Sequence, residues 1–454
     1  MKMYDSPQSV DKYLNVKLEC ECGMTHYAPI KAVDISSGAL NRLPGYVERF
    51  GYHRPYILCD KITYSIAGQR CEQLLRDAGL APTTLIIKHL GFDEATLGEI
   101  VINRPDDCDL MIGVGTGSIT DMLRYSSFKL GLPCFTVATA APMDGFSASA
   151  GIMNVNNLKA TMSAHSTELI IGDTDILSAA PYRMTIAGFG DLIGKLNALN
   201  DWRLAVLVNG EHYCRSMDEL VTAYVKDIMA KSDEIKERRP EAIGDVMNAL
   251  LLTGATISLY GSSRPISGAE HHLSHLWEVL GEQRGKSYAM HGEQVAVGTV
   301  LALMLVERLR EADIDFAAAR EKAAGYDSGV WESEIRRVYG SAAGATIELE
   351  AASGKNEPEG RLRRIAAMEA KWGEVRALLE SAYPSAELRK LLKQLGCPAD
   401  PKDIGVTAQV LKDSFLYCKE TRARYTVLQA AWDLGVLDKL ADDITEELRG
   451  MDAI

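Results

Sequence analysis

The chain has 454 residues, 47% of them hydrophobic and 24% charged, with a formal net charge of -13. That composition has ample material for a packed core, and the length predicts two domains. The acidic balance disfavours nucleic acid and anionic membranes as partners, and an anionic substrate would need positive groups supplied by its own site.

The amino-terminal MKMYDSPQSVDKYL lacks the apolar stretch of a secretory leader, and no apolar run reaches the roughly 18 residues of a spanning helix. The expectation is a soluble, cytoplasmic protein with no membrane insertion. Nine scattered cysteines, an odd number, do not suggest a disulfide framework and are expected to be mostly reduced and buried. The first candidate motif, Cys20-Glu21-Cys22-Gly23-Met24-Thr25-His26, looks like half of a zinc ribbon. Its second half is missing and its spacing is C-x-C, so it reads as a β-hairpin end bearing two thiols.

Strands and helices then alternate. RPYILCD (54–60), TTLIIKHL (83–90), CDLMIGVG (108–115), PCFTVATA (133–140) and STELIIGD (166–173) read as strands. SIAGQRCEQLLRDAG, DEATLGEIVINR and SITDMLRYSSFKLG read as helices between them. This alternation predicts a parallel sheet covered on both faces, an α/β domain over 1–180. From Pro181 onward apolar stripes of period 3.6 follow one another, which predicts an all-helical domain over 181–454. GSAAGATIELEAASGKNEPE, near residues 340–359, has the weakest periodicity and is expected to be a loop or insertion.

Three constellations can carry chemistry. Gly113-Val114-Gly115-Thr116-Gly117-Ser118 joins a strand to a helix starting near Ile119. Such a loop lets a pyrophosphate approach the backbone and the helix N-terminus, although ordinary glycine turns look the same. It follows the third expected strand, and its spacing is not the usual G-x-G-x-x-G. The segment from Ala138 to Ser149 begins where α/β sheets place ligands and contains one carboxylate, Asp144. It also reads as a turn capped by Asp144 or Ser147. The third constellation is the most specific: Asp191 in GFGDLIGK, the cluster His271, His272 and His275 in GAEHHLSHLWE, and His291 in MHGEQVAVG. His271 and His275, four apart, share a helix face, which by itself often means only a polar surface. Two imidazoles and one carboxylate make a three-ligand divalent site with an open position, and this set suits zinc, nickel or iron alike.

Together these pieces resemble the iron-dependent alcohol dehydrogenase, glycerol dehydrogenase and dehydroquinate synthase superfamily, and within it the bacterial branch of the sn-glycerol-1-phosphate dehydrogenases. The resemblance rests on ILCDKITYSIAG, GVGTGSITDMLRY, VATAAPMDGFSASA, AGFGDLIGKLNALNDW, SSRPISGAEHHLSHLWE, HGEQVAVGT and RARYTVLQAAWDLGVL. It implies a nucleotide-binding α/β domain, an all-α domain and an active site in the cleft between them, with NAD(P)H and one divalent ion as cofactors. By the same resemblance Asp191, His271 and His291 are metal ligands, while Asp144 and His275 touch substrate. Asp60 lies near the adenosine ribose; Gly115, Gly117, Ser118, Ile119, Thr120 and Asp121, with Thr139, Ala140, Ala141 and Pro142, hold the cofactor. The cofactor serine expected four residues after Asp144 is Ala148 here, flanked by Ser147 and Ser149, and Ser147 is the candidate carried forward.

The implied reaction is reversible reduction of dihydroxyacetone phosphate to sn-glycerol 1-phosphate by a homodimer or larger homo-oligomer. Where some iron-dependent relatives have a fourth ligand, this chain has Lys195, a cation that fits a phosphorylated three-carbon substrate. Lys195 and Arg264, with Ser263 and Ser267, are the candidate phosphate donors. The competing readings are a glycerol dehydrogenase for unphosphorylated polyols, a dehydroquinate synthase, and a non-catalytic metal- or nucleotide-binding protein.

Overall fold

The computed structural model describes residues 10–155 and 158–454; residues 1–9 of the segment read for a leader lie outside them. Two short strands, β1 (Leu18–Glu19) and β2 (Thr25–His26), form an antiparallel hairpin. The chain divides into two compact units, one reaching Leu192 and including Glu219–Ser263, the other comprising Ile193–Asp218 and Arg264–Ile454.

The first unit is built on a sheet. Its strands in chain order are β3 (Ala32–Ser36), β4 (Pro55–Cys59), β5 (Thr83–Ile86), β6 (Leu110–Gly115) and β7 (Cys134–Ala138), then, after the antiparallel hairpin β8 (Ala150–Val155) and β9 (Leu158–Ser163), β10 (Leu169–Asp173). The spatial order is β3-β10-β7-β6-β4-β5, and every neighbouring pair is parallel. Alternate residues feed two cores, as strands covered on both faces must. Ile57, Cys59, Leu110, Ile112, Val114 and Phe135 pack with Leu43, Val47, Cys71 and Leu75 on one face. Tyr56, Leu58, Met111 and Cys134 pack with Ile100, Ile119, Met122 and Leu123 on the other.

The five expected strands all belong to this sheet, whereas β3 was not expected. AVDIS is short and only partly buried, and its place is fixed by β10, against which it runs in register from Ala32–Leu169 to Ser36–Asp173. The sheet order also locates the ligand-binding position. From β4 the chain moves outward to β5, then crosses to the opposite side of β4 to make β6. The direction of winding therefore reverses between β4 and β6, and open α/β sheets bind ligands beyond the carboxyl ends of the strands at such a reversal. Asp60 follows β4, and the glycine loop ends β6.

Helix Pro240–Tyr260 packs in this same unit against β3 and helix Thr174–Ala179. It is long and apolar enough to cross a membrane by length and composition, yet 78% of its most apolar window is buried inside the fold, as expected of a core helix.

The second unit is helical. Helix His291–Glu311 runs through it with Gly292 to Val306 continuously buried and packs against helix Ala269–Gln283. Trp202 and Trp277 are fully buried, and their indole N–H groups donate to His212 O (3.0 Å) and Ser414 Oγ (2.9 Å). The expected loop over 340–359 is instead largely helical: Ala343–Ser353 and the start of Pro358–Ala370. Alanine and glutamate carry high helix propensity without an apolar stripe, so periodicity is silent where propensity is not.

Candidate active site

At the carboxyl end of β6 the three glycines divide into two roles. A Cβ on Gly113 would fall 2.8 Å from Leu123 Cδ2, and one on Gly115 would fall 2.8 Å from Ile119 Cβ. These two residues let helix Gly117–Leu130 lie close on the sheet. At Gly117 the atoms nearest an added Cβ all belong to Met143, the closest its terminal methyl at 3.0 Å, so there it is a flexible side chain and not the helix that stands against the loop. The terminus has no side-chain cap from Thr116, and the buried Thr120 Oγ1 has no hydrogen-bond partner. An uncapped terminus of a 14-residue helix beside an unsatisfied hydroxyl fits a phosphate-bearing cofactor. Thr139 N–H donates to Gly115 O at 3.1 Å, which sets Thr139, Ala140 and Ala141, all buried, beside the loop. Asp121 pairs with Arg124, a buried residue not anticipated from sequence, whose guanidinium also bonds Gly145 O. Arg124 thereby ties the glycine-loop helix to the turn after Asp144. Asp60 caps its helical turn, accepting from Ile62 N–H (2.7 Å) and Thr63 N–H (2.8 Å).

The turn carrying Asp144 is linked to Asp191. Asp144 N–H donates to Asp191 Oδ2 at 2.9 Å, and Asp191 is fully buried on helix Tyr182–Ile193. Gly188, on the same helix, is required because a Cβ there would overlap Ala141 O. Ser147 is also fully buried, but its hydroxyl donates to Leu251 O (2.7 Å) on helix Pro240–Tyr260 and so holds the turn to the core.

In the second unit the rings of His271, His275 and His291 converge, with centroids 5.4 Å (271–291), 6.0 Å (271–275) and 6.1 Å (275–291) apart. Both histidines among the expected metal ligands are backed by a carboxylate. His271 Nδ1 lies 2.7 Å from Glu270 Oε1, and His291 Nδ1 lies 3.1 Å from Glu278 Oε1. A carboxylate only accepts, so Nδ1 carries the proton in both rings and Nε2 is left as the lone-pair donor. Glu270 is fixed in turn by Gly268 N–H (2.6 Å) and Asn197 Nδ2 (2.6 Å). Burial alone would raise its pKa, but hydrogen bonds from His271, Asn197 and Gly268 hold it below the ordinary value. Asn197 also donates to Asp201 (3.0 Å), which burial and the Glu270 charge push up to about 7. His275 is held well below its ordinary pKa by burial, and its Nδ1 has no hydrogen-bond partner. It is a neutral imidazole at physiological pH. His272 is fully buried and also held neutral by burial.

The cations differ in setting. Lys195 is fully buried at the start of helix Lys195–Asn209. Arg264 donates to Glu211 (2.9 Å), Asp201 O (3.0 Å) and Tyr425 O (2.8 Å), partners that anchor the turn before helix Ala269–Gln283. The carboxylates Glu270 and Glu278 were not anticipated from sequence, although Glu270-His271 and the H-x-x-E from His275 to Glu278 are visible once the histidines are read as ligands.

The family model of the iron-containing alcohol dehydrogenases matches residues 34–181. Glycerol-1-phosphate dehydrogenase [NAD(P)+] of Halalkalibacterium halodurans is 34% identical over 292 residues, covering 63% of this chain and 73% of that protein. The enzyme of the same name from Bacillus licheniformis is 27% identical over 427 residues, covering 93% of this chain and 94% of that protein. Among solved structures, an alcohol dehydrogenase from Oenococcus oeni matches with a TM-score of 0.59 at 14% identity, covering 91% of this chain and 98% of that one. A glycerol dehydrogenase from Schizosaccharomyces pombe matches with a TM-score of 0.55 at 20% identity, covering 93% of this chain and 92% of that one.

Proposed function

The chain belongs to the glycerol-1-phosphate dehydrogenase family of the iron-containing alcohol dehydrogenases, and we propose that it catalyses the reversible NAD(P)H-dependent reduction of dihydroxyacetone phosphate to sn-glycerol 1-phosphate. The observation that carries this reading is the pair of converging imidazoles, His271 and His291, each with Nδ1 held by a carboxylate so that the ring's lone pair is on Nε2. Asp191 is the carboxylate that the family resemblance adds to them, which makes the donor set two imidazole nitrogens and one carboxylate oxygen. This is the donor set of a catalytic site with an open position, and zinc, nickel and iron(II) all accept it.

When bound, such an ion supplies Lewis acidity at the ketone oxygen and the dinucleotide supplies the hydride. The protein's own part is placement. Gly117 to Asp121, with Thr139 to Pro142, receive the pyrophosphate at the helix N-terminus, and Asp60 faces the ribose. Asp144, whose N–H orients Asp191, holds a substrate hydroxyl. Neutral His275, with Nδ1 available, holds the other hydroxyl or passes a proton to the reduced oxygen. Lys195 reads the phosphate. Arg264, already engaged by Glu211 and two carbonyls, contributes by positioning the helix that carries His271.

The test is NADH and NADPH oxidation with dihydroxyacetone phosphate and with dihydroxyacetone, in enzyme loaded with zinc, nickel or iron. The phosphorylated ketone is expected to have much the lower KM. Lys195→Met is expected to raise that KM about tenfold to a hundredfold while leaving the unphosphorylated ketone's KM nearly unchanged, since a lost charged hydrogen bond costs about 1.5–3 kcal/mol. Arg264→Met is expected to affect both ketones equally. A wild-type preference for dihydroxyacetone would make the enzyme a glycerol dehydrogenase.

A further inference from the structure

The segment RARYTVLQAAWDLGVL opens with two arginines, Arg422 and Arg424, that have no task in the reading above. Both lie in the helical unit. The turn Cys418–Thr421 packs against helix Ala269–Gln283, which carries His271 and His275 in the same unit. The extended stretch that follows is sewn to the start of that helix. Arg424 Nη1 donates to Ser267 O (2.7 Å), and Arg264 Nη2 donates to Tyr425 O (2.8 Å). Asp201 accepts from both Val427 N–H (2.7 Å) and Ala269 N–H (2.7 Å). Lys355 Nζ donates to Arg422 O at 3.1 Å. The backbone of Arg422 is therefore fixed on the flank of the histidine helix.

The two guanidinium groups differ. Arg424 is committed to that stitching, and burial together with the like charges of Arg264 and Arg422 brings its pKa down to about 10. Arg422 is exposed, yet enough protein surrounds it that desolvation lowers its pKa from the ordinary value. Its head thus reaches solvent from a recess. Among the described residues no hydrogen bond or ion pair engages that head, and only its main-chain oxygen is used. Its charge acts on His272, His275 and Glu278. These positions are three apart, so they form one stripe along the helix with His275 at its centre. Arg422 stands over that stripe, beside an imidazole whose Nδ1 has no partner. Neighbouring arginines, one of them not neutralised, make a spot of positive potential in a chain of net charge -13, and such a spot attracts a small anion.

We propose that Arg422 determines specificity for the phosphorylated substrate: its guanidinium binds the phosphate of dihydroxyacetone phosphate beside His275. The inference rests on the substrate reading above and adds a second cation to Lys195, since a phosphate monoester offers three acceptor oxygens and nearly two charges. A guanidinium meets such a group through two parallel N–H donors, which an ammonium cannot do.

The test uses the whole, metal-loaded enzyme. It reads KM and kcat for dihydroxyacetone phosphate and dihydroxyacetone, and the inhibition of dihydroxyacetone reduction by inorganic phosphate. Arg422→Met is expected to raise the KM of the phosphorylated ketone about tenfold to a hundredfold and to weaken phosphate inhibition by a similar factor, while the KM of dihydroxyacetone changes much less. Arg422→Lys is expected to fall between, because it keeps the charge and loses the fork. Guanidinium ion added to Arg422→Ala is expected to bring the KM of dihydroxyacetone phosphate back toward the wild-type value. Equal KM changes for both ketones in Arg422→Met, or none, overturn the inference and leave the substrate reading standing. If Arg422→Met does not fold, phosphate inhibition in Arg422→Lys equal to that of wild type overturns it instead. A wild type that neither prefers the phosphorylated ketone nor is inhibited by phosphate overturns the substrate reading itself, and this inference with it.

Discussion

Replacing Glu270 by glutamine tests the metal centre without touching a ligand. In the native protein Glu270 Oε1 accepts from His271 Nδ1 (2.7 Å) and Gly268 N–H (2.6 Å), and Oε2 accepts from Asn197 Nδ2 (2.6 Å). Glutamine has nearly the same shape but brings an NH2 group. If its oxygen stays with His271, the NH2 faces the Asn197 donor; if it turns, His271 Nδ1 loses its acceptor. Either way the charge that makes Nε2 a strong ligand is gone. A hydrogen bond to a charged group is worth about 1.5–3 kcal/mol, which converts to roughly tenfold to a hundredfold in affinity. Removing the outer partner of a metal-bound histidine has an effect of the same size, about 10- to 100-fold. We expect Glu270→Gln to lose metal to a competing chelator at concentrations that leave wild type loaded, and to recover most of its kcat when metal is in excess. Chelator titration followed by NADH oxidation measures both. A Glu270→Gln enzyme whose metal affinity is indistinguishable from wild type would refute the argument, because His271 Nδ1 would then not matter to the ion.

Asp191→Ala, His271→Ala and His291→Ala are each expected to abolish turnover while the fold survives, since the catalytic ion is not its scaffold; full turnover and metal content in His271→Ala would remove that residue from the ligand set. Gly117→Val should abolish NADH binding, measured by fluorescence titration, with little change in melting temperature, because its side chain enters the loop where only the flexible Met143 side chain need give way. Gly115→Ala should do the reverse and lower the melting temperature, since its Cβ would fall 2.8 Å from Ile119 Cβ. Acid stability should depend on Glu420, a buried carboxylate that burial would raise but that the ammonium groups of Lys419 and Lys355 (2.7 Å) bring down to about 2. Its folded pKa is below the unfolded one, so its contribution is present above the ordinary carboxylate range and is lost as pH falls toward about 2. Urea midpoints from pH 5 downward should drop less steeply in Glu420→Gln than in wild type.

The sequence by itself determined the elements that local rules govern. The apolar runs of β4, β6, β7 and β10 and the period-3.6 helices after Pro181 are visible because side-chain periodicity is a local property. The glycine loop, Asp191 and the histidines were visible as residue types at telling spacings, with His271 and His275 on one helical face. Only the tertiary structure decided what depends on distant partners. AVDIS became β3 because β10 offered it an edge, 133 or more residues away in sequence. The winding reversal between β4 and β6 places the glycine loop at an interior strand of the sheet and not at the first one. Gly113 and Gly115 proved to serve helix–strand packing, a distinction that depends on where Leu123 and Ile119 come to lie. The roles of Glu270, Glu278, Arg124 and Asn197 follow from hydrogen bonds that close only when the chain has folded, since a carboxylate acquires a task from the donors that meet it and not from its neighbours in sequence.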